Sequence, residues 1–402
     1  MNTLPQTVCG VIPHHQLAAI ARYGGSEASD NARATLEHMR ELAAGGVQTL
    51  LESFPEPAPE EEPGDRQRVY DAGGLLVTPG RQVLPDERFA GDDVQVTEAW
   101  DGTGATNGFF ECLFGRKSID GRGMRIDSTV HYGTGFENAM WNGRQMVYGE
   151  GDGFVFTRFT SSVDVIAHEL THGVTQHAAA LGYSGQTGAL NEHISDAFGM
   201  MVKQYLLRQA AEESDWLIGS ELYGPAIPRG SAVRSFALPG SAYDDPILGR
   251  DPQPMHMRGY VETPTDNGGV HINSGILNHA FFQSSMQIGG NTWEVQGPLY
   301  YTVVTEQLTA DAGFDEFAQA TVETAGEMYG FGSAIQEAIG QAWADVGLPV
   351  SGRFGSESRR AEEWRTRYAA AAASRRRARW HRDSAARAIS PINDANQERK
   401  TP

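Results

Sequence analysis

The stretch VIAHELTHGVTQH, at residues 165–177, constrains the chain more than any other part of the sequence. It places His168 and His172 four residues apart, with Glu169 directly after the first histidine. On an α-helix, side chains at positions i and i+4 lie on one face, roughly 6 Å apart, so both imidazoles can reach one ion. The stretch therefore predicts a helix that carries two ligands of a metal ion.

A catalytic zinc ion takes three protein ligands and keeps a fourth position open for water. The segment GALNEHISDAFG contains the third candidate, Glu192, on what reads as a second helix. Asp196 follows one turn later, where its carboxylate can hydrogen-bond the outer nitrogen of a ligand histidine and orient the ring. The sequence thus predicts one catalytic zinc ion bound by His168, His172 and Glu192, with Asp196 behind a histidine.

Glu169 lies one residue around the helix from His168, so it is poorly placed to bind the same ion. Zinc lowers the pKa of a bound water toward about 7, and a neighbouring carboxylate can take the proton. This combination is the chemistry of amide hydrolysis. We therefore predict that Glu169 is the general base of a hydrolase.

Composition limits the remaining possibilities. The chain has 402 residues and a net charge of -19, which suggests two lobes plus extensions and argues against nucleic acid as the main partner. Two cysteines cannot form a disulfide framework, and no stretch of about 18 apolar residues could cross a membrane. The first residues lack the pattern of a signal peptide, which predicts a cytoplasmic protein, with unconventional export as the alternative.

The chain divides into five predicted segments that differ in composition and periodicity. These are a short N-terminal segment (1–52), a Pro- and Glu-rich linker (53–68), a region of short β-like runs (69–160), a region of helical periodicity (161–350) and a basic Ala- and Arg-rich tail (351–402). The helical periodicity predicts helices at 164–179, 190–211, 273–288, 297–309, 315–329 and 332–346.

Four blocks of the sequence resemble the thermolysin family of zinc metallopeptidases: ENAMWNGRQMVYGEGDG, VDVIAHELTHGVTQ, GALNEHISDAFG and DNGGVHINSGILNHAF. They stand in family order between Val69 and Leu348. The N-terminal block CGVIPHH resembles the protealysin branch, although Pro13 is followed by His14 where that branch tends to have a second proline. The resemblance implies a two-lobed α+β fold, with a β-rich N-terminal lobe, a helical C-terminal lobe and the zinc cleft between them.

The resemblance also implies roles for other polar residues. His271 and Tyr183 would donate hydrogen bonds to the oxyanion, with Asp266 holding the imidazole of His271. Donors aimed at developing charge are often the largest single catalytic term. Asn191 would hold His172. Judged from the residues alone, a histidine in a turn and a packed tyrosine are the plainer alternatives.

Substrate contacts follow from the same resemblance. Asn138 and Ala139 would bind the substrate backbone as an added β-strand. Arg234 would contact the carbonyl after the scissile bond; a surface ion pair is the alternative. The pocket for the side chain after the cut is lined by apolar residues, which predicts a preference for large hydrophobic side chains. These residues are Phe156, Phe159, Val165 and Val233.

The sequence departs from thermolysin at the positions that bind its paired calcium ions. Asp164 and Asp215 stand at two of these positions, whereas Lys203, Leu217 and Ser220 occupy three others. An ammonium group would replace a cation that needs several oxygen ligands. We therefore expect no paired calcium site and at most one calcium ion.

The sequence thus predicts a zinc-dependent neutral endopeptidase that acts on proteins or peptides and is made as an autoprocessed precursor. Its own propeptide, residues 1–52, would be an intramolecular inhibitor. Cys9 adds a hypothesis, since a thiolate over the open zinc position would displace the water; packing as a small apolar residue is the alternative. The rival function is a non-proteolytic zinc scaffold whose tail, with SRRRARWHR, binds nucleic acid or anionic surfaces; a solvated charge run is the simpler interpretation of that tail.

Overall fold

The computed structural model describes residues 9–43, 66–85 and 91–351. Most of the predicted linker 53–68, the end of the N-terminal segment and the tail beyond Ser351 lie outside these ranges. The backbone of Cys9 belongs to a strand, but its side chain is not among those described, so the thiolate hypothesis stays a prediction.

The elements of the described ranges are short strands, mostly in the first half of the chain, and longer helices, which dominate the second half. The helices are α1 (His14–Tyr23), α2 (Ser26–Glu41), α3 (Val94–Phe114), α4 (Val163–Gln176), α5 (Gly185–Leu207), α6 (Asp266–Ile288), α7 (Thr292–Glu306), α8 (Phe314–Tyr329) and α9 (Ala334–Asp345), with 3₁₀ turns at Ala211–Glu213 and Met257–Gly259. The strands are β1 (Cys9–Gly10), β2 (Gln67–Asp71), β3 (Arg81–Leu84), β4 (Ile126–Val130), β5 (Ala139–Trp141), β6 (Met146–Tyr148), β7 (Leu217–Ile218), β8 (Arg234–Ser235), β9 (Asp244–Asp245) and β10 (Gly249–Arg250).

Six strands form one mixed sheet in the order β1-β5-β6-β4-β2-β3. The pairs β2–β4 and β4–β6 are parallel, and the other neighbours are antiparallel. The edge strand β1 comes from the N-terminal segment and pairs with β5, with Gly10 opposite Met140. Residues from the beginning of the chain therefore complete one edge of the sheet in the N-terminal lobe.

Helix α3 lies inside the region that the sequence analysis assigned to short β-like runs, and that assignment is wrong for residues 94–114. Asp93 caps the helix by accepting hydrogen bonds from the N–H groups of Gln95 and Val96, and Gly115 ends it with a φ of 70°. Its Gly and Thr residues give it weak helix propensity. Gly102 lets it approach Ile166 of α4 so closely that an added Cβ would lie 2.4 Å from a side-chain carbon. Tertiary packing, not local propensity, makes this segment helical.

The C-terminal lobe contains helices near all six predicted positions. Every residue from Val163 to Thr175 of α4 is buried, so this helix runs through the centre of the protein, in contact with α3, α5 and β5. The run GFVFTRFT forms no strand and contributes one isolated bridge, Phe156 to Tyr223. The architecture is two-lobed α+β, and α4 lies where the two lobes meet.

Lys203 lies among three acidic residues near the start of α4, which are Asp164, Asp215 and Glu221. Its Nζ lies 3.2 Å from Asp164 Oδ2, 3.1 Å from both carboxylate oxygens of Asp215 and 2.9 Å from the carbonyl oxygen of Leu217. Burial alone would lower the pKa of Lys203, but the carboxylates of Asp164, Glu221 and Asp215 raise it above its ordinary value. The ammonium group thus supplies the positive charge that calcium would supply to such a cluster.

We predict that calcium contributes little to stability and that Lys203 contributes much. A calcium-selective chelator, with zinc kept saturating, should leave the melting temperature nearly unchanged. Lys203→Met should lower the free energy of unfolding by roughly 3–5 kcal/mol, because it leaves buried carboxylates without their partner. Thermal and denaturant unfolding measure both effects, and Lys117→Met, at an exposed lysine, is the control. A fall of tens of degrees with the chelator would contradict the prediction.

Candidate active site

Helices α4 and α5 bring the three predicted metal ligands together. His168 Nε2 lies 3.1 Å from His172 Nε2 and 3.5 Å from Glu192 Oε2, and His172 Nε2 lies 3.3 Å from Glu192 Oε1. Two ligand atoms of a tetrahedral zinc ion, each about 2.05 Å from the metal, are about 3.3 Å apart. The observed spacings match this value and all three residues are buried, so the group fits one zinc ion.

The outer nitrogens of both histidines are held in place. Asp196 Oδ1 lies 2.8 Å from Nδ1 of His168. Nδ1 of His172 lies 3.0 Å from Asn191 Oδ1 and 3.1 Å from Ser195 Oγ. These contacts point both Nε2 atoms toward one place. Sequence reasoning missed Ser195, although its position three residues after Glu192 puts it on the same helix face.

Glu169 is wholly buried beside this group. The backbone N–H of Trp141 in β5 donates to its Oε2 at 2.8 Å, while Oε1 has no hydrogen-bond partner in the part of the chain that the structure describes. Burial raises the pKa of Glu169 to about 8, into the range where a carboxyl group accepts and returns protons near neutral pH. One carboxylate oxygen of Glu169 is held by a hydrogen bond, and the other is available to accept a proton. The sequence contains no pattern that predicts this contact between the backbone N–H of Trp141 and Glu169.

Tyr183 and His271 face the same group from the C-terminal lobe. The Tyr183 hydroxyl donates to Glu192 Oε1 at 2.5 Å and lies 3.4 Å from His271 Nε2. Asp266 Oδ1 lies 2.5 Å from His271 Nδ1. Burial would lower the pKa of His271, but Asp266 and Glu192 raise it to about 9, so at neutral pH both ring nitrogens carry protons. Both residues are therefore equipped to donate hydrogen bonds to an anion.

A tight turn at the start of α6 positions His271. Asn267, Gly268 and Gly269 have φ values of 49°, 90° and 78°, a left-handed conformation that favours glycine and asparagine. The turn folds Asp266 back so that its Oδ2 also accepts from the backbone N–H of His271 at 3.0 Å. The DNGG sequence is thus what allows the carboxylate to hold both the backbone and the ring of the histidine.

Arg234 is buried, not on the surface. Its Nε and Nη2 each donate to a carboxylate oxygen of Asp196 at 2.8 Å, a bidentate pair that the sequence analysis did not foresee. Its Nη1 donates to the carbonyl oxygen of Val11 at 3.1 Å. The same side chain therefore links the group behind the metal ligands to the N-terminal segment.

Asn138 and Ala139 bind that N-terminal segment through its backbone. Asn138 Oδ1 accepts from the N–H of Ile12 at 2.9 Å, and its Nδ2 donates to the carbonyl oxygen of Ile12 at 3.2 Å. The N–H of Val11 donates to the carbonyl oxygen of Ala139 at 3.1 Å. The three residues predicted to hold a substrate backbone thus all hold residues 11–12 of this chain.

The four residues predicted to line the apolar pocket are all buried within the hydrophobic core, which also includes Val11. The rings of Phe156 and Phe159 lie 5.3 Å apart. The pocket residues are Phe156, Phe159, Val165 and Val233. All four are buried apolar residues, and their role in a substrate pocket stays a prediction.

A buried His-His-Glu group with a carboxylate beside it and two hydrogen-bond donors opposite defines a zinc hydrolase site. Zinc held by His168, His172 and Glu192 would polarise a carbonyl group and acidify water. The family comparisons agree. The thermolysin metallopeptidase catalytic-domain model matches residues 68–176, and the thermolysin metallopeptidase alpha-helical-domain model matches residues 179–348. The chain belongs to the thermolysin family of zinc metallopeptidases.

Individual relatives agree with this assignment. The chain is 43% identical over 351 residues to an extracellular metalloprotease of Pectobacterium carotovorum subsp. carotovorum, covering 86% of this chain and 98% of the relative. It is 37% identical to thermolysin of Bacillus sp. (strain EA1), covering 70% of this chain and 50% of that protein. The solved structure of the precursor of protealysin, a metalloproteinase from Serratia proteamaculans, matches with a TM-score of 0.74 and 41% identity, over 85% of this chain and 99% of that one.

The comparisons correct one prediction and disfavour another. The expected cytoplasmic location is wrong, because the relative that is 43% identical is an extracellular metalloprotease. The helices of the described ranges include none long and apolar enough to cross a membrane. The rival function, a non-proteolytic zinc scaffold, is not favoured by relatives that are metalloproteases.

We predict that Glu169→Gln keeps zinc and fold but loses peptidase activity by several orders of magnitude. The amide preserves the size of the side chain and removes the proton acceptor, and general-base catalysis alone contributes about 10²–10⁴-fold. Zinc content, thermal unfolding and turnover should be measured on the same preparation. Near-normal turnover at full zinc occupancy would remove Glu169 from the role of general base.

Proposed function

We propose that this enzyme is an endopeptidase that cleaves on the N-terminal side of large hydrophobic residues. We further propose that residues 1 to about 52 are an inhibitory propeptide that the enzyme removes itself. The observation that carries the propeptide proposal is the binding of Val11 and Ile12, directly after β1, by the residues predicted to hold the substrate backbone. The apolar residues predicted to line the pocket support the proposed specificity.

The contacts of this strand support the proposed mode of substrate binding. Backbone pairing to an edge strand depends little on side chains and suits an enzyme that binds extended peptides. In the precursor, Val11 and Ile12 use the hydrogen bonds that a substrate would need from Ala139, Arg234 and Asn138. A substrate cannot make these bonds until the strand leaves, so the N-terminal segment inhibits the enzyme by competition.

The proposed catalytic roles follow from the site geometry. The free oxygen of Glu169 takes a proton from the attacking water and passes it to the leaving amine, while the N–H of Trp141 holds the other oxygen. His271, charged at neutral pH, and the hydroxyl of Tyr183 donate to the oxyanion. Asp266 keeps the His271 ring oriented. His168, His172 and Glu192 hold the metal ion.

Peptides that vary only in the residue after the cut test the specificity. Burying a leucine or phenylalanine side chain contributes about 1.5–3 kcal/mol, so kcat/KM should exceed that of the glycine peptide by about 10–100-fold. The apolar pocket lining supports faster cleavage before leucine or phenylalanine than before glycine. A peptide with aspartate at this position should be cut most slowly. A zinc chelator should abolish cleavage of casein and of every peptide, and added zinc should restore it. Equal rates for leucine and aspartate would contradict the proposed specificity.

Autoprocessing is supported by the sequence that precedes the Pro- and Glu-rich run. The segment QTLLESF offers Leu50, Leu51 and Phe54, the kinds of side chain that the proposed pocket accepts. A Pro- and Glu-rich composition of this kind is typical of segments that proteases reach. If the enzyme processes itself, the Glu169→Gln precursor stays uncut. A fully active mature enzyme that began at Met1 or Asn2 would refute the propeptide.

We predict that Gly10→Ala speeds maturation. A Cβ at Gly10 would lie 2.4 Å from Asn138 Nδ2, so the strand or the Asn138 amide must shift and lose hydrogen bonds. Each of the two hydrogen bonds between Asn138 and Ile12 contributes about 1 kcal/mol, so their loss should weaken docking of the N-terminal segment by at least about tenfold. The rate of precursor loss, followed on gels, measures the effect. Gly25→Ala, where nothing lies within 4 Å of the added Cβ, is the matched control. Equal rates for both variants would contradict the prediction.

A further inference from the structure

Glu137 is a buried carboxyl group for which the catalytic mechanism has no use. It is 0% exposed, and neither of its carboxylate oxygens has a hydrogen-bond partner in the described ranges. Burying an unpaired carboxylate is so costly that such a group normally becomes neutral instead. A native protein keeps an unsatisfied buried group of this kind only at a cost, which calls for a specific explanation.

The N-terminal segment lies directly against Glu137. The backbone N–H of Glu137 donates to Thr35 Oγ1 of α2 at 2.9 Å. Two residues earlier, a Cβ on Gly135 would lie 2.4 Å from the side chain of Asn31, also in α2. On its other side, Asn138 binds Ile12, two residues after the end of β1. Glu137 therefore sits between the two parts of the N-terminal segment that dock on the catalytic domain.

We propose that Glu137 is a pH-sensitive latch: its neutral carboxyl group is buried when the propeptide is docked, and its ionisation releases α2. The proposal rests on the proposed function, in which residues 1 to about 52 are a propeptide. It goes beyond that function by naming the group that couples release to pH. Because Thr35 and Asn31 of α2 lie against the backbone at Glu137 and Gly135, departure of α2 would open this buried segment to water, and a charge on Glu137 would oppose docking.

The direction of the effect follows from the two states of Glu137. Burial, aided by the charge of Asp152, raises its pKa to about 8 when α2 is docked, compared with an ordinary value of 4.5 for an exposed glutamate. Docking therefore takes up a proton between these values. The contribution of Glu137 to docking is complete below pH 4.5, declines as the pH rises and is lost above about pH 8. For one linked proton, docking weakens by about tenfold per pH unit in this window.

Other ionisable groups at the interface act in a different pH range. Burial lowers the pKa of His14, His15 and His38 in the docked state, so their protonation weakens docking as the pH falls below 6.5. The Asp30–Arg33 pair of α2 is exposed and contributes little. Above about pH 7 the histidines are mostly neutral in both states, so the response of Glu137 is the larger effect there.

Hydrogen exchange in the full-length Glu169→Gln precursor, which should stay uncut, tests the proposal. The protection factors of α2 amides should fall severalfold between pH 7 and 8, after correction for intrinsic exchange. Adding Glu137→Gln should abolish this fall, because the amide is neutral at every pH. Glu37→Gln, at an exposed glutamate of α2, should leave the fall unchanged. Amides of α5 report whether each variant is folded.

A Glu137→Gln precursor that keeps the wild-type fall in α2 protection would overturn the proposal. If that variant does not fold, Asp152→Asn provides the second test, since removing its charge should move the fall to lower pH; an unmoved fall would also overturn the latch. The N-terminal sequence of the mature enzyme tests the propeptide separately. The hydrogen-exchange experiment thus tests the latch, and N-terminal sequencing tests removal of the propeptide, so failure of either proposal can be told apart from failure of the other.

Discussion

Asp196 makes the contacts on which the rest of the active site depends. One of its carboxylate oxygens lies 2.8 Å from His168 Nδ1 and accepts from Arg234 Nη2, while the other accepts from Arg234 Nε and from Asn278 Nδ2. Burial would raise the pKa of Asp196, but the charges of Arg234 and His168 hold it below its usual range. Loss of one partner from a buried pair of this kind costs about 3–5 kcal/mol.

This one carboxylate joins elements that are far apart in the sequence. His168 belongs to α4, Asp196 to α5, Arg234 to β8 and Asn278 to α6. Through Arg234 the network continues to the carbonyl oxygen of Val11 in the N-terminal segment. The orientation of a metal ligand and the binding of a backbone in the cleft therefore depend on the same buried charge pair. A substitution that disturbs Arg234 should affect both.

The cleft edge explains how a short N-terminal segment can dock on the catalytic domain and so act as the inhibitor that we propose. An open sheet edge presents unpaired N–H and C=O groups, which will bind any extended chain of suitable shape. Strand β1 pairs with β5 and so supplies hydrogen-bond partners to this edge, and residues 11–12 add hydrogen bonds to Asn138 and Ala139. Because the segment is covalently attached, its effective concentration at the edge is high, so even modest contacts keep the cleft occupied.

Local patterns were sufficient for part of the site. The i, i+4 spacing of His168 and His172 placed both imidazoles on one helix face, and the same rule placed Asp196 one turn after Glu192. Family resemblance was needed for Tyr183 and for His271, because the distance between them along the chain carries no pattern. The run that became α3 was misassigned, since its glycines weaken helix propensity and the close approach of Gly102 to Ile166 of α4 is not visible in the sequence.

By itself, the sequence predicted the zinc ligands, a general base and the helical lobe, because the signal for each lies in the period of an individual helix. Only the tertiary structure decided that Arg234 pairs with Asp196, that the N–H of Trp141 anchors Glu169 and that Thr35 of α2 binds the backbone of Glu137. These contacts join segments separated by 28 to 102 positions along the chain. No local periodicity relates such residues, so they meet only when the core brings their elements together.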